Sequence, residues 1–406
     1  MKSIITSILL ITILAITSCK NKSAEPKAEL KKGTYAYDSA FLAKHDSTFL
    51  ELKDESGSAR LMISTKWQGR VMTSTSTGPE GASYGWINYD LLASGNKKAQ
   101  FNPVGGEERF WLGPEGGQYS IYFAPGDTFN INSWQVPAAI DTVPWKVISA
   151  SGTQAMFGAE AYLKNYTGTD FNIYIERRVR LLRPPETESV LGTKIPQGIQ
   201  AIGYETHNKI ENKSANDMKK ETGLLSIWLL GMFTPSDSTI VIIPFRPVEN
   251  AKSFITTNYF GEIPSDRLQV NDSVLYFKCD GKYRSKIGLP PAIAKRIAAS
   301  FDFSRNILTI ISFPVNETGM YVNSKWEIQK DPYSGDVVNS YNDGPLENGE
   351  QLGPFYELES SSSVRELKRA ESMNYIQVTC HFEGDYEGLK ELAKKILGVD
   401  LDELNK

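Results

Sequence analysis

Glu357 and Glu359 stand two residues apart in Tyr356-Glu357-Leu358-Glu359, just ahead of a serine run. On a strand that spacing turns both carboxylates to one face. Two like charges so close raise the pKa of one of them, which suits one group to hold a proton and the other to take one. A solvated strand face has the same pattern. A second set of reactive side chains lies in Asn102–Phe123, NPVGGEERFWLGPEGGQYSIYF, where five glycines surround Glu107, Glu108, Arg109, Trp111 and Glu115. Glycine lets the backbone bend and approach closely. Aromatic and charged side chains held between such bends make a shaped, polar-lined cleft.

Three further stretches carry polar groups at short spacing. Gly203–Lys213, GYETHNKIENK, gathers Glu205, His207, Asn208 and Asn212, either as a site or as an ordinary polar strand end. Lys278–Lys286, KCDGKYRSK, holds Lys282, Arg284 and Lys286; it reads as a turn of solvated charges or as a site for an acidic sugar. Asp331–Glu359 contains Asp336, Asn339, Asn342, Asp343, Glu347 and Asn348. Such a density of oxygen atoms admits calcium, but the spacing is not that of a helix–loop–helix calcium loop, and the same residues are common turn formers. No other metal or organic cofactor is expected. The three histidines, His45, His207 and His381, fall in unrelated segments, which argues against a multi-histidine metal centre. No HExxH, GxSxG or phosphate-loop motif is present.

The elements that must position these groups are mostly strands. Phe171–Leu182 alternates cleanly, with Phe171, Ile173, Ile175, Val179 and Leu181 on one side and Asn172, Tyr174, Glu176, Arg178 and Arg180 on the other. Asn374–Phe382 does the same. Ser58–Thr65 and Arg70–Ser76 flank a hairpin turn, and Ser120–Phe123, Asp127–Ser133, Thr142–Ser151, Gln197–Asn208, Leu224–Phe233, Thr239–Phe245, Ser273–Cys279 and Ile307–Val315 are further strand candidates. Helix signals are few: Pro290–Ser300, and Tyr386–Leu397 with Asp385 as its cap and Gly398 as its stop. From Tyr35 the pattern reads as strand and turn. So many short strands joined by turns indicate a large antiparallel β-sandwich.

Charge is nearly balanced, 44 basic against 48 acidic residues for a net −4, which argues against nucleic acid as a partner. Ile4–Ile16 is an apolar run behind Lys2, too short to span a bilayer comfortably. It ends in Ile16-Thr17-Ser18-Cys19, which resembles a bacterial lipobox with lipid on the Cys19 thiol. The expected organisation is a signal peptide over 1–18, a disordered tether over 19–33 and a single domain over 34–406. The expected location is the bacterial cell envelope, with contact to the membrane through the lipid alone. Cys279 and Cys380 remain, and two buried free thiols are the favoured reading over a disulfide.

Several segments together resemble the galactose mutarotase-like superfamily, the β-supersandwich of aldose 1-epimerases, and within it a lipoprotein family of Bacteroidetes-type bacteria. They are Gly69–Ser76, Gly85–Asn88, Gly105–Gly117, Val338–Pro345 and Phe355–Ser363. The resemblance implies an antiparallel supersandwich with few short helices, one of them C-terminal. In epimerases of this fold two histidines and a glutamate surround the anomeric carbon. Glu359, with Glu357 beside it, matches that glutamate, and Arg109 matches a sugar-contacting arginine. Asn208 stands where a histidine is expected, with His207 displaced by one residue, and one residue of shift on a strand reverses the facing. An amide does not donate a proton as an imidazolium does. The resemblance therefore carries sugar recognition further than it carries mutarotation.

Three readings follow. The first is a lipid-anchored carbohydrate-binding protein whose ligand, on the concave sheet face, meets Glu108, Arg109, Trp111, Asn208, Arg284 and Glu359. The second is an epimerase-like or lyase-like enzyme with Glu359 as base and Glu107, Glu108 or His207 as acid. The third is a non-catalytic scaffold whose cleft is filled by its own side chains.

Overall fold

The computed structural model describes residues 29–404, and from Lys31 onward these form one compact unit. The signal peptide, Cys19 and most of the tether lie outside the described residues. The strands are β1 Leu50–Lys53, β2 Arg60–Ser64, β3 Arg70–Thr75, β4 Arg109–Gly113, β5 Lys146–Ala150 and β6 Gln154–Lys164. They continue with β7 Asp170–Leu181, β8 Gln200–Asn212, β9 Ser226–Phe233, β10 Thr239–Pro244, β11 Leu268–Val270 and β12 Val274–Lys278. The last six are β13 Ser285–Leu289, β14 Ile297–Asp302, β15 Ile307–Ser312, β16 Val338–Asn342, β17 Tyr356–Ser361 and β18 Ser372–Glu383. The helices are α1 Tyr35–His45, α2 Tyr89–Ser94, α3 Ala138–Asp141, α4 Pro184–Leu191 and α5 Tyr386–Leu397.

Every paired strand runs antiparallel. Ten strands form one sheet in the order β11-β12-β10-β14-β15-β18-β8-β7-β6-β5, and five form another in the order β13-β16-β17-β9-β4. A small β1-β2-β3 sheet completes the set. The two large sheets pack face to face. Phe110, Leu112, Ile227, Leu229 and Leu358 of the five-stranded sheet share a buried cluster with Ile173, Ile175, Tyr204, Val241 and Phe277 of the ten-stranded one. Period two in each strand supplies these inner rows. On the far side of the ten-stranded sheet, α5 lays Leu389, Leu392, Ala393 and Leu397 over Phe301, Leu308, Ile310 and Phe382. Asp385 caps α5 and Gly398 ends it in the left-handed conformation, as its sequence specifies.

Three local expectations are corrected. Tyr35–His45 is a helix, capped by the Thr34 hydroxyl, which accepts from the Tyr37 amide. Its buried Tyr35, Asp38 and Leu42 fall at helical spacing within a polar stretch. Pro290–Ser300 is not a helix. Ile297–Asp302, which overlaps its end, is strand β14, held between β10 and β15, and pairing on both sides overrides the local alanine-rich helix propensity. Ser120–Phe123 and Asp127–Ser133 are turns, because side chains of Ser120 and Asn130 bond to neighbouring backbone amides.

Candidate functional site

The face of the five-stranded sheet that points away from the core carries charge. Strand register lines up Arg109, Leu230, Glu359, Asn339 and Gly288 in one row from β4 to β13. The neighbouring row runs Met232, Glu357, Tyr341 and Lys286. Two-residue periodicity puts both rows on the same surface. The inner face of these strands holds the apolar residues of the core, so the chain gives β17 a Leu358 for one side and two carboxylates for the other.

The ion pairs cross diagonally between the rows. Arg109 Nη2 donates to Glu357 Oε1 at 2.9 Å, and Lys286 Nζ donates to Glu359 Oε2 at 2.9 Å. The Trp228 indole N–H donates to the same Glu359 oxygen at 3.0 Å. Glu359 Oε1, Arg109 Nε and Trp111 Nε1 are buried without a hydrogen-bond partner among the described residues. Arg109 lies over the Trp111 ring at 4.2 Å from its centroid, and Lys286 lies 5.0 Å from that of Trp228. Tyr259 donates to Asp336 at 2.7 Å and accepts from Asn339 at 3.2 Å, closing one side. Gly288 is required beneath them: a Cβ there would sit 2.0 Å from Asp336 Oδ2.

The floor is dry and the rim is not. Glu359 and Arg109 expose 0% and 4% of their surface, and Trp111 and Trp228 are equally enclosed. Glu115, Tyr259, Lys286, Trp326 and Asp336 keep partial access to solvent. Burial pushes the Glu357 carboxyl up to about 7; the neighbouring Glu359 adds to this, while Arg109 and Lys286 oppose it. Burial likewise raises Glu115 and Asp336. Burial disfavours the Lys286 charge, but Glu359, Glu115 and Glu357 outweigh it and raise that amine above its ordinary value. The site thus combines two fixed cations, carboxyls with displaced acidities and flat aromatic faces.

Of the residues expected to act together, the outer face gathers Arg109, Trp111, Glu357 and Glu359, with Arg284 at the start of β13. Asn208 and Glu108 are elsewhere, which corrects the expectation of a common basin. Glu108 precedes Arg109 on the chain and therefore faces the opposite way, into the layer between the sheets. There Arg177 pairs with it at 2.9 Å and donates to Asn208 Oδ1 at 2.6 Å, while Gln377 donates to its other oxygen at 2.8 Å. Glu107 enters the same layer and meets His381 Nε2 at 3.1 Å, with Ser74 and Thr309 completing the set. His207 lies on the opposite face of β8 from Asn208 and is half-buried there, so it cannot serve a group at Glu359.

Sequence reasoning missed Trp228, Tyr259 and Trp326 as site residues, and it placed Glu115, Lys286 and Asp336 in separate clusters rather than with Glu359. Lys286 stood in the basic cluster and Trp228 in a strand read as buried; only strand register shows that both face Glu359. In the oxygen-rich segment, Asp336 is bonded to Tyr259, and Asp343 accepts from Tyr341 and the Gly353 amide. Among the described residues no group of three or more His, Cys, Asp or Glu side chains is arranged to hold a metal ion. A surface hollow of about 620 Å³ is lined by other residues, Asp170, Asn216, Asp217 and Lys219 among them, whose charges are exposed. Cys279 and Cys380 are buried free thiols.

A family model described as a family of unknown function (DUF6786) matches residues 33–406. No curated protein matches the sequence. In structure the chain is similar to the Slr1438 protein of Synechocystis sp. PCC 6803, at 13% identity and a TM-score of 0.49, covering 83% of this chain and 96% of that one. It is also similar to a galactose mutarotase-like protein of Lactobacillus casei ATCC 334, at 10% identity and 0.46, covering 82% and 99%. A galactose mutarotase related enzyme of Lactobacillus acidophilus aligns at 9% identity and 0.45, covering 83% and 98%. These likenesses concern the fold.

Proposed function

The chain belongs to DUF6786, a family of unknown function, so its role has to be read from the site, and we propose that it binds a saccharide on the outer face of the five-stranded sheet. The observation that carries this reading is Glu359 Oε1, fully buried beside Lys286 and Trp228 and without a partner among the described residues. An unpaired buried acceptor costs about 1–3 kcal/mol. A sugar hydroxyl donates to it, and the ring's C–H face rests on the partly exposed indole of Trp326. Arg109 Nε and Trp111 Nε1 supply two more unpaired donors for sugar oxygens. Calorimetry with a panel of mono- and oligosaccharides tests this. Binding that falls at least about tenfold in Glu359→Gln supports it; no heat with any sugar rejects it.

A second reading rests on Glu357. Its carboxyl, shifted to about 7, gives or holds a proton near neutral pH beside the lysine-paired Glu359. Glu359 would act as base, as in an epimerase-like or lyase-like reaction, and the acid would be Glu357 or Lys286. Glu107, Glu108 and His207 are too remote for that role. Polarimetry on fresh α-aldoses decides: equal rates in wild type and Glu359→Gln remove this reading.

The same proposal includes a lipid on Cys19 that holds the domain at the bacterial envelope, supported by the apolar run ending in Thr17-Ser18-Cys19. Metabolic labelling with a fatty acid should mark the wild type and not Cys19→Ala; equal labelling removes the anchor.

A further inference from the structure

The basic cluster at the start of β13 is unevenly satisfied. Lys278 lies 3.9 Å from Asp280, Lys282 lies 2.7 Å from Asp237, and Lys286 lies 2.9 Å from Glu359. Arg284 alone in this cluster has no carboxylate partner among the described residues. Asp343, which shares the Tyr341 hydroxyl with it, accepts from that hydroxyl at 2.8 Å and from the Gly353 amide at 3.0 Å.

Arg284 is nevertheless held in place. Its guanidinium carbon lies 3.8 Å from the centroid of the Phe260 ring, and Nε donates to the Tyr341 hydroxyl at 3.3 Å. Phe260 in turn meets Tyr341 edge-on at 5.8 Å. This stack leaves the two terminal nitrogens as an oriented fork on a half-buried arginine. Arg284 is two residues from Lys286 and so shares its face, about 7 Å further along the strand. A substituent on a ring seated at Glu359 and Lys286, or on the next ring, spans that distance. Phe260 and Tyr283 expose 44% and 38% of their surface beside it, which supplies apolar footing for that ring.

We infer that the ligand is an acidic saccharide, whose carboxylate or sulfate is received by the Arg284 fork while its ring occupies the Glu359–Lys286 floor. The inference rests on the saccharide reading above and narrows it to an anionic class. A guanidinium meets such a group with two parallel, charge-assisted hydrogen bonds, which an ammonium does not reproduce.

The test is calorimetry with three disaccharides of matched size: one neutral, one bearing a uronic acid and one sulfated. The wild type should bind an acidic form about tenfold or more tightly than the neutral one. The uronate and sulfate arms tell which anion it is. Arg284→Ala should abolish that preference, and Arg284→Lys should restore only part of it. Phe260→Ala, which leaves the charge in place, should weaken the preference by freeing the fork. A preference that survives Arg284→Ala, or equal affinity for all three sugars in the wild type, overturns the anionic assignment and leaves the saccharide site standing. No binding of any of the three overturns both.

Discussion

Glu357→Gln isolates the energetic consequence of placing a carboxyl in the site. Burial moves its proton affinity from the ordinary 4.5 to about 7, which corresponds to about 3 kcal/mol. Below about pH 4.5 both folded and unfolded chains hold the proton, and the group contributes nothing to the pH dependence. Between about 4.5 and 7 the folded chain still holds a proton that the unfolded chain has released, so each step upward in pH draws stability away. Above about 7 the loss is complete. The amide keeps the shape and accepts from Arg109, as the protonated acid does. Wild type and variant should therefore unfold alike in urea near pH 4.5, and the variant should be more stable by up to about 3 kcal/mol near pH 8. Asp38, Glu115, Asp141, Asp336 and Asp343, also raised by burial, slope the same way in both proteins and cancel in the difference. A difference that stays constant from acid to alkaline pH, or a variant weaker at high pH, refutes the reasoning.

Breaking the pair between the sheets should be severe: Arg177→Met or Glu108→Gln alone leaves a buried charge unmatched and should cost about 3–5 kcal/mol in urea unfolding. Trp228→Phe keeps a ring but removes the N–H from Glu359 Oε2; it should cost about 1–3 kcal/mol and weaken sugar binding in calorimetry. Gly69→Ala should lower stability by at least about 1 kcal/mol, since φ is +62° and the new Cβ would lie 2.6 Å from Phe157 Cδ2; a neutral melting temperature would contradict this.

Two-residue alternation made most of the fold legible. It located β7 and β18 and showed that Glu357 and Glu359 share a face, while the continuous apolar run of Leu224–Phe233 marked β9. The same rule, applied to adjacent residues, separates Glu108 from Arg109, although glycine-rich surroundings suggested a single cleft. Asn208 was misplaced for another reason. Nothing in its own segment tells whether β8 lies in the sheet that bears Glu359, because sheet membership is decided by pairings distant in sequence, here with β7 and β18. Lys286 was hidden likewise: a short strand in a basic run looks solvated until register sets it opposite Tyr341. Helix α1 escaped because its apolar stripe is thin and its burial comes from packing against the small sheet around Met62 and Met72.

The crossed pairing at the site also has a mechanical side. β17 is the middle strand of its sheet, and β4 and β13 are the two margins. Arg109 laces one margin to the centre and Lys286 laces the other, each by a single tie. A guest that took Lys286's place at Glu359 would slacken the β13 border alone, while the β4 border stayed cinched. The border so untied is the one beside which Arg284 stands, still joined to the sheet by the backbone ladder from β13 to β16.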